Sequence, residues 1–123
     1  MDTQALIADA VINGGGTYHG DRIEGGDIVW SRVDKEDGYY VAIAGGVENL
    51  PTLALVNGSL IEDVFYARHY ESGLYFGLWQ DEDLNWSIDE VEWYAGGVAA
   101  VAAGRMAAQR AIWDIKNNEE VVL

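Results

Sequence analysis

The chain contains no cysteine. That excludes a disulfide framework, a thiolate zinc site and a cysteine nucleophile, and it leaves the redox compartment unreadable. Bases are scarce as well: seven Lys and Arg stand against 21 Asp and Glu, for a net charge of −14 over 123 residues. Lys35 and Lys116 are the lysines. A field of that sign repels phosphate backbones and anionic membranes, so direct binding of nucleic acid or of a membrane is not expected. Long apolar runs are missing too. The most apolar stretch, residues 98–103, is bounded by Gly96, Gly97, Gly104 and Arg105. It falls short of the roughly 20 residues that cross a bilayer. The first ten residues lack a basic segment and carry Asp2 and Asp9, which predicts no secretory leader and a cytoplasmic location. Asn57-Gly58-Ser59 and Asn85-Trp86-Ser87 then match the glycosylation pattern by chance.

The residue types that carry catalysis are equally thin. The two histidines are His19, paired in sequence with Asp21, and His69 inside an aromatic segment. No spacing among them and the carboxylates resembles a metal-ligand pattern. Gly14-Gly15-Gly16 follows a helical segment and has only Arg22 nearby. A phosphate loop instead follows a strand and opens a helix; a flexible joint is the better reading. None of Ser31, Ser59, Ser72 or Ser87 sits in a Gly-x-Ser-x-Gly turn. No catalytic group, metal or cofactor is expected.

What is present is enough apolar material for one folded domain. Half of the residues are hydrophobic, with five Trp, seven Tyr and two Phe, which argues against a disordered polar chain. Asp2 or Thr3 can cap a short helix with Leu6, Ile7, Ala10 and Val11 on its apolar face and Asn13-Gly14 at its close. Residues 27–33 and 38–44 read as a hairpin around Asp34-Lys35-Glu36-Asp37-Gly38. Residues 52–56 read as a further strand. Asn57-Gly58 signals a turn, while Ser59 to Glu62 fits a capping box. Residues 64–70 and 74–79 read as two aromatic strands around a turn at Glu71-Ser72-Gly73; a helix over residues 60–69 is the rival. Ser87-Ile88-Asp89-Glu90 is another capping box, with Glu92 near the first turn and Arg105, Arg110 and Lys116 further along. It predicts a helix over residues 88–115, weakened at Gly96-Gly97. Residues 121–123 could add a short strand. The expected fold is α+β: an antiparallel sheet of about four or five strands against a long C-terminal helix, with a short N-terminal helix, in one domain over residues 1–123.

Two features bear on function. Gly97, Ala100, Gly104, Ala108 and Ala111 form a small-residue stripe at helical spacing. It suits close packing on the protein's own sheet, or a homodimer. The segment from residue 71 to 93 carries Glu71, Asp81, Glu82, Asp83, Asp89, Glu90 and Glu92 and no Lys or Arg, with Trp79, Trp86 and Trp93 interleaved. Its plain reading is a strand end, a solvated loop and a helix cap. Its functional reading is a recognition patch of Trp anchors in an acidic surround, suited to a protein with a basic surface. Size and charge are of the kind found in small acidic phage and mobile-element inhibitors that imitate nucleic-acid charge, although no motif carries the likeness. The leading expectation is therefore a non-catalytic interaction protein. A small enzyme or ligand-binding domain with a Tyr/Trp-lined pocket near His19 or His69, and a structural subunit of an assembly, are the alternatives.

At this net charge the folded domain repels itself, and salt screens that repulsion over a Debye length of about 8 Å at about 0.15 M. Differential scanning calorimetry should show Tm rising as salt is added from low ionic strength; a flat or falling Tm would contradict it.

Overall fold

The computed structural model describes residues 1–69 and 74–123, apart from the side chains at positions 44, 45, 68 and 69. Helix α1, Thr3–Asn13, starts where Asp2 accepts the backbone N–H of Ala5 and stops at Gly14, whose φ of 73° is left-handed. Both ends are as the sequence implies, since a side-chain acceptor and a glycine satisfy groups the helix cannot. The chain then enters β1, Gly15–Arg22, and β2, Ile28–Arg32. The glycine run is thus no joint but the start of a strand.

Strand β3, Tyr39–Leu50, is followed by a 3-10 turn at Thr52–Leu55, helix α2 at Ser59–Val64 and a π-helical turn at Phe65–His69. The rival helix is the correct reading here, and residues 52–56 are not a strand. Pro51 supplies no N–H for a ladder, and Asn57 Oδ1 accepts the N–H of Ser59 at 3.0 Å to turn the chain into α2. The expected turn at Glu71-Ser72-Gly73 lies outside the described residues, as does the His69 side chain. Strands β4, Tyr75–Gln80, and β5, Trp86–Tyr94, follow, then helix α3, Gly97–Met106, and strands β6, Ala111–Asp114, and β7, Glu119–Val122.

The expected helix over residues 88–115 is therefore a strand, a ten-residue helix and a second strand. A capping-box match spans four residues and is a weak local signal. It is overridden where Trp, Ile and Val alternate with polar residues and β4 is available to pair. Gly96-Gly97, read as a weak point, is where α3 begins.

The strands form one antiparallel sheet of seven in the order β2-β1-β4-β5-β3-β6-β7. The architecture is the expected α+β, with more strands than expected and no long C-terminal helix. Nor do β2 and β3 pair as a hairpin: β2 is an edge strand on β1, and β3 lies between β5 and β6.

Cross-strand partners share a face, so the register shows what covers each side. Trp30, Tyr18, Phe76, Leu78, Ile88 and Trp86 share one face and form a core with Leu6, Ala10, Ile61 and Phe65 from the helices. Tyr39, Val41 and Ile112 pack on Ala100 of α3 toward the other end. Helix α1 is tied down by Tyr18 donating to Asp9 at 2.6 Å, Arg32 donating to the same oxygen at 2.6 Å, and Trp30 Nε1 donating to Thr3 at 3.1 Å. The Tyr18 hydrogen bond, then the Arg32 pairing, hold the Asp9 carboxyl below its usual range despite partial burial. Among the described residues no helix is long and apolar enough to cross a membrane.

With the helices on one side, the opposite face is crossed by residues 33–38, which run from β2 at the edge to β3 deep in the sheet. Tyr40 donates to the carbonyl of Val33 at 3.2 Å, Trp93 Nε1 donates to the carbonyl of Asp37 at 2.8 Å, and the Lys35 ammonium sits 4.6 Å from the centre of the Trp93 ring. Tyr40 and Trp93 are cross-strand partners, so these ties lay the segment over that face as a strap. Its far end turns at Gly38, where φ is +85° and an added Cβ would meet the Tyr94 carbonyl oxygen at 2.6 Å and Trp93 Nε1 at 2.5 Å. Gly38→Ala is expected to cost about 2 kcal/mol or more, combining left-handed strain with a backbone clash. A shift in the urea midpoint measures it, and an unchanged midpoint would show that the strap turn tolerates a side chain.

Candidate functional site

Beneath the strap lies a groove of about 800 Å³. Its floor follows from residues with little or no side chain. Thr17 of β1, Gly77 of β4 and Asp89 of β5 form one cross-strand row. Gly15 lies beside Trp79 in the next row, and Ala42 of β3 is opposite Val91. Bulkier side chains at Gly15, Gly77 and Ala42 would fill the floor. The indole of Trp79 lies down into the space the glycines leave: a Cβ on Gly77 would stand 2.7 Å from its Nε1, and one on Gly15 3.0 Å from its Cε3. Tyr40 and Trp113, cross-strand partners on β3 and β6, line the far side. Asp34, Lys35 and Glu36 of the strap and Glu120 of β7 contribute charge.

Two groups in this groove carry an energetic penalty. Thr17 is 3% exposed, and its Oγ1 is buried with no hydrogen-bond partner among the described residues. A buried hydroxyl left unpaired costs about 1–3 kcal/mol. Asp89 is pushed up to about 6, first by desolvation and second by the nearby Glu48 charge, with a hydrogen bond from the Gly46 backbone opposing the shift. That amide reaches it because β3 is bulged between Ala44 and Val47 and Gly46 lies against β5, where a Cβ would collide with the Ile88 carbonyl oxygen. The cations lining the groove are already engaged: Arg32 with Asp9 and Asp34, Lys35 with the Trp93 ring. The groove therefore offers carboxylates, a hydroxyl and aromatic surface, with its own positive charge committed elsewhere.

The recognition patch expected from the sequence is divided by strand alternation. Trp79, Asp89 and Trp93 point to the strapped face, whereas Trp86, Glu90 and Glu92 point to the helix-covered face. Trp86 is fully buried and donates to Thr52 at 2.9 Å, and Glu92 accepts from Tyr94 at 2.9 Å. Asp81, Glu82 and Asp83 are exposed in the β4–β5 turn. There Asp81 is structural, accepting the N–H groups of Asp83 and Asn85 at 2.9 and 3.0 Å. His19 and Asp21 pair at 3.0 Å on β1, with side chains 45% and 69% exposed, and do not line the groove. Among the described residues no three His, Cys, Asp or Glu are grouped to hold a metal.

The small-residue stripe does not survive as a homodimer face. Ala100 and Gly104 are buried, with Ile112 and Leu123 against Gly104 and Tyr39 against Gly97. Ala108 lies past the end of α3 and Ala111 is in β6.

Thr17, Tyr40 and Trp113 carry no local signal in the sequence. They meet through pairings among β1, β4, β5, β3 and β6, and Trp113 fell within the expected helix. No protein-family model matches the chain, and no curated protein or solved structure matches it significantly.

Because its folded pKa lies above the ordinary value of 3.8, Asp89 favours the folded state most below pH 3.8, and that contribution is lost as pH rises through about 6. Asp89→Asn keeps an oxygen for the Gly46 amide and removes the desolvated charge. It should raise Tm by about 3–5 °C at pH 8, with the gain vanishing toward pH 4. A Tm gain that is equal at both pH values, or a loss at pH 8, would contradict the assignment.

Proposed function

We propose that this chain is a non-catalytic binding protein, that the strapped groove is its binding site, and that its partner is a protein presenting a basic surface. The observation that carries the reading is a groove in which, among the described residues, Asp89 is desolvated and without a cationic partner while the buried Thr17 hydroxyl, two strands away in the same row, is unpaired. Both penalties are relieved by a ligand that brings positive charge and hydrogen-bond donors. The net charge of −14 draws such a partner in and turns phosphate backbones away. Trp79, Tyr40 and Trp113 supply the flat apolar area on which interfaces rely. An inhibitor of a nucleic-acid-binding protein, approached through its basic surface, fits this chemistry.

One observation favours a small enzyme instead: a carboxyl titrating near 6 in a groove suits proton transfer. Acid–base catalysis also needs a second group within reach of the substrate, and the groove lining contains no histidine or cysteine.

Fluorescence anisotropy with a labelled peptide of Lys, Arg and Gly tests the binding reading, with an acidic peptide and single-stranded DNA as controls. The basic peptide should bind, should weaken as salt is added, and should bind at least about tenfold more weakly to the Trp79→Ala/Asp89→Asn variant, the loss expected when a charged contact and an aromatic anchor go together. Equal binding by that variant, with its fold intact by circular dichroism, would remove the groove from the interaction.

A further inference from the structure

We infer that the Thr17–Gly77–Asp89 row is a seat for a guanidinium group, so that the basic partner enters the groove through an arginine side chain. This rests on the binding reading above and adds the identity of the group that is bound.

The argument starts from spacing. Thr17 and Asp89 are separated by one intervening strand, two strand spacings of about 4.8 Å each. The residue between them is Gly77, so nothing rises from the backbone of the middle strand to join them. What lies there instead is the pyrrole edge of Trp79, with Nε1 2.7 Å from where a Gly77 Cβ would stand. An indole edge therefore lies between two hydrogen-bond acceptors, the Asp89 carboxyl on one side and the buried Thr17 hydroxyl on the other.

A guanidinium matches each part of that arrangement. It is planar, so it stacks on the indole face. It carries five N–H donors around its edge, so it can serve two acceptors on opposite sides at once. One is the Asp89 carboxylate, which has acceptor capacity left beyond the Gly46 amide. The other is Thr17 Oγ1, which the protein itself leaves unpaired at 3% exposure. The guanidinium also stays charged at any working pH. A lysine ammonium supplies charge but is a compact point with no flat face to lay on Trp79. Arg32, at the rim of the groove, cannot take the seat, because Asp9 and Asp34 hold it at 2.6 and 3.5 Å. Lys35 is held over Trp93.

Thr17 makes the inference separable from a structural role. Thr17→Val keeps the shape and removes the hydroxyl. If that hydroxyl serves only folding, its loss leaves binding unchanged. If it waits for a ligand, the variant gains stability, because an unpaired buried polar atom is gone, and loses affinity at the same time.

The test uses the whole chain, labelled with nitrogen-15, and three short capped glycine peptides carrying one arginine, one lysine or one citrulline. The arginine peptide should shift the Trp79 indole N–H and the Thr17 amide, the lysine peptide should bind at least about tenfold more weakly, and the citrulline peptide should not bind measurably. Thr17→Val should raise Tm and weaken the arginine peptide by at least about tenfold, as expected for one hydrogen bond to a charged group. Thr17→Ser, which retains a hydroxyl, should keep most of the affinity and covers the case in which the valine variant does not fold. Equal affinity for arginine and lysine peptides, or undiminished affinity in Thr17→Val, overturns the guanidinium seat and leaves the basic-partner reading standing. Failure of arginine and lysine peptides alike to shift any groove residue overturns both.

Discussion

Alternation along β5 is the constraint on which the rest of this structure depends. The strand lies in the middle of the sheet, paired with β4 on one side and β3 on the other. Its even-numbered residues face the helices and its odd-numbered ones face the strap. Trp86 and Ile88 thereby complete the main core, with Leu78 and Phe76 beside them. Asp89 and Trp93 are sent to the opposite side by the same two-residue period. A slip of one residue would bury Asp89 among Leu6, Leu55 and Ile61 and expose Trp86. The hydrophobic cost of exposing Trp86 makes the register of the centre strongly specified.

That register also decides where the protein carries its energetic penalties. A desolvated carboxylate and an unpaired buried hydroxyl lie in one row across three strands, and the residue between them has no side chain. Among the described residues the other buried side-chain polar atoms have hydrogen-bond partners. Asp114, 7% exposed, accepts from the Asn117 amide side chain at 2.8 Å, and Tyr18, Asp9 and Arg32 satisfy one another at the helix contact. On the proposed binding reading, penalties concentrated under a strap that Tyr40 and Trp93 hold in place are ones a ligand gains by relieving.

Several elements were legible because their signals are local. Helix α1 has its cap at Asp2 and its stop at Gly14, and both lie within a few residues of the groups they serve. The strand composition of β4 and of β7 is read within their own segments. The strands on either side of residues 34–38 were legible too, but their partners were not. A short turn-like sequence suggests a hairpin, and here it spans several strands as a strap. Over residues 88–115 the Ala-rich helix propensity belongs to α3 alone, and the segments on either side pair as β5 and β6.

Composition by itself determined that the chain has no disulfide or thiolate chemistry, that it carries an excess of negative charge, and that it has the apolar and aromatic material for a folded core. The residues 79, 81–83, 86, 89, 90, 92 and 93 drew attention as an acidic, Trp-rich run, and three of them, Trp79, Asp89 and Trp93, do lie on the strapped face. Only the tertiary structure decided which three. A run of neighbours in sequence shares a surface in a helix or a loop, but a strand sends alternate residues to opposite faces. Thr17, Tyr40 and Trp113 come to the same groove from three strands because hydrogen-bonded registers align them, and no residue's own sequence neighbourhood records the register of a strand tens of positions away.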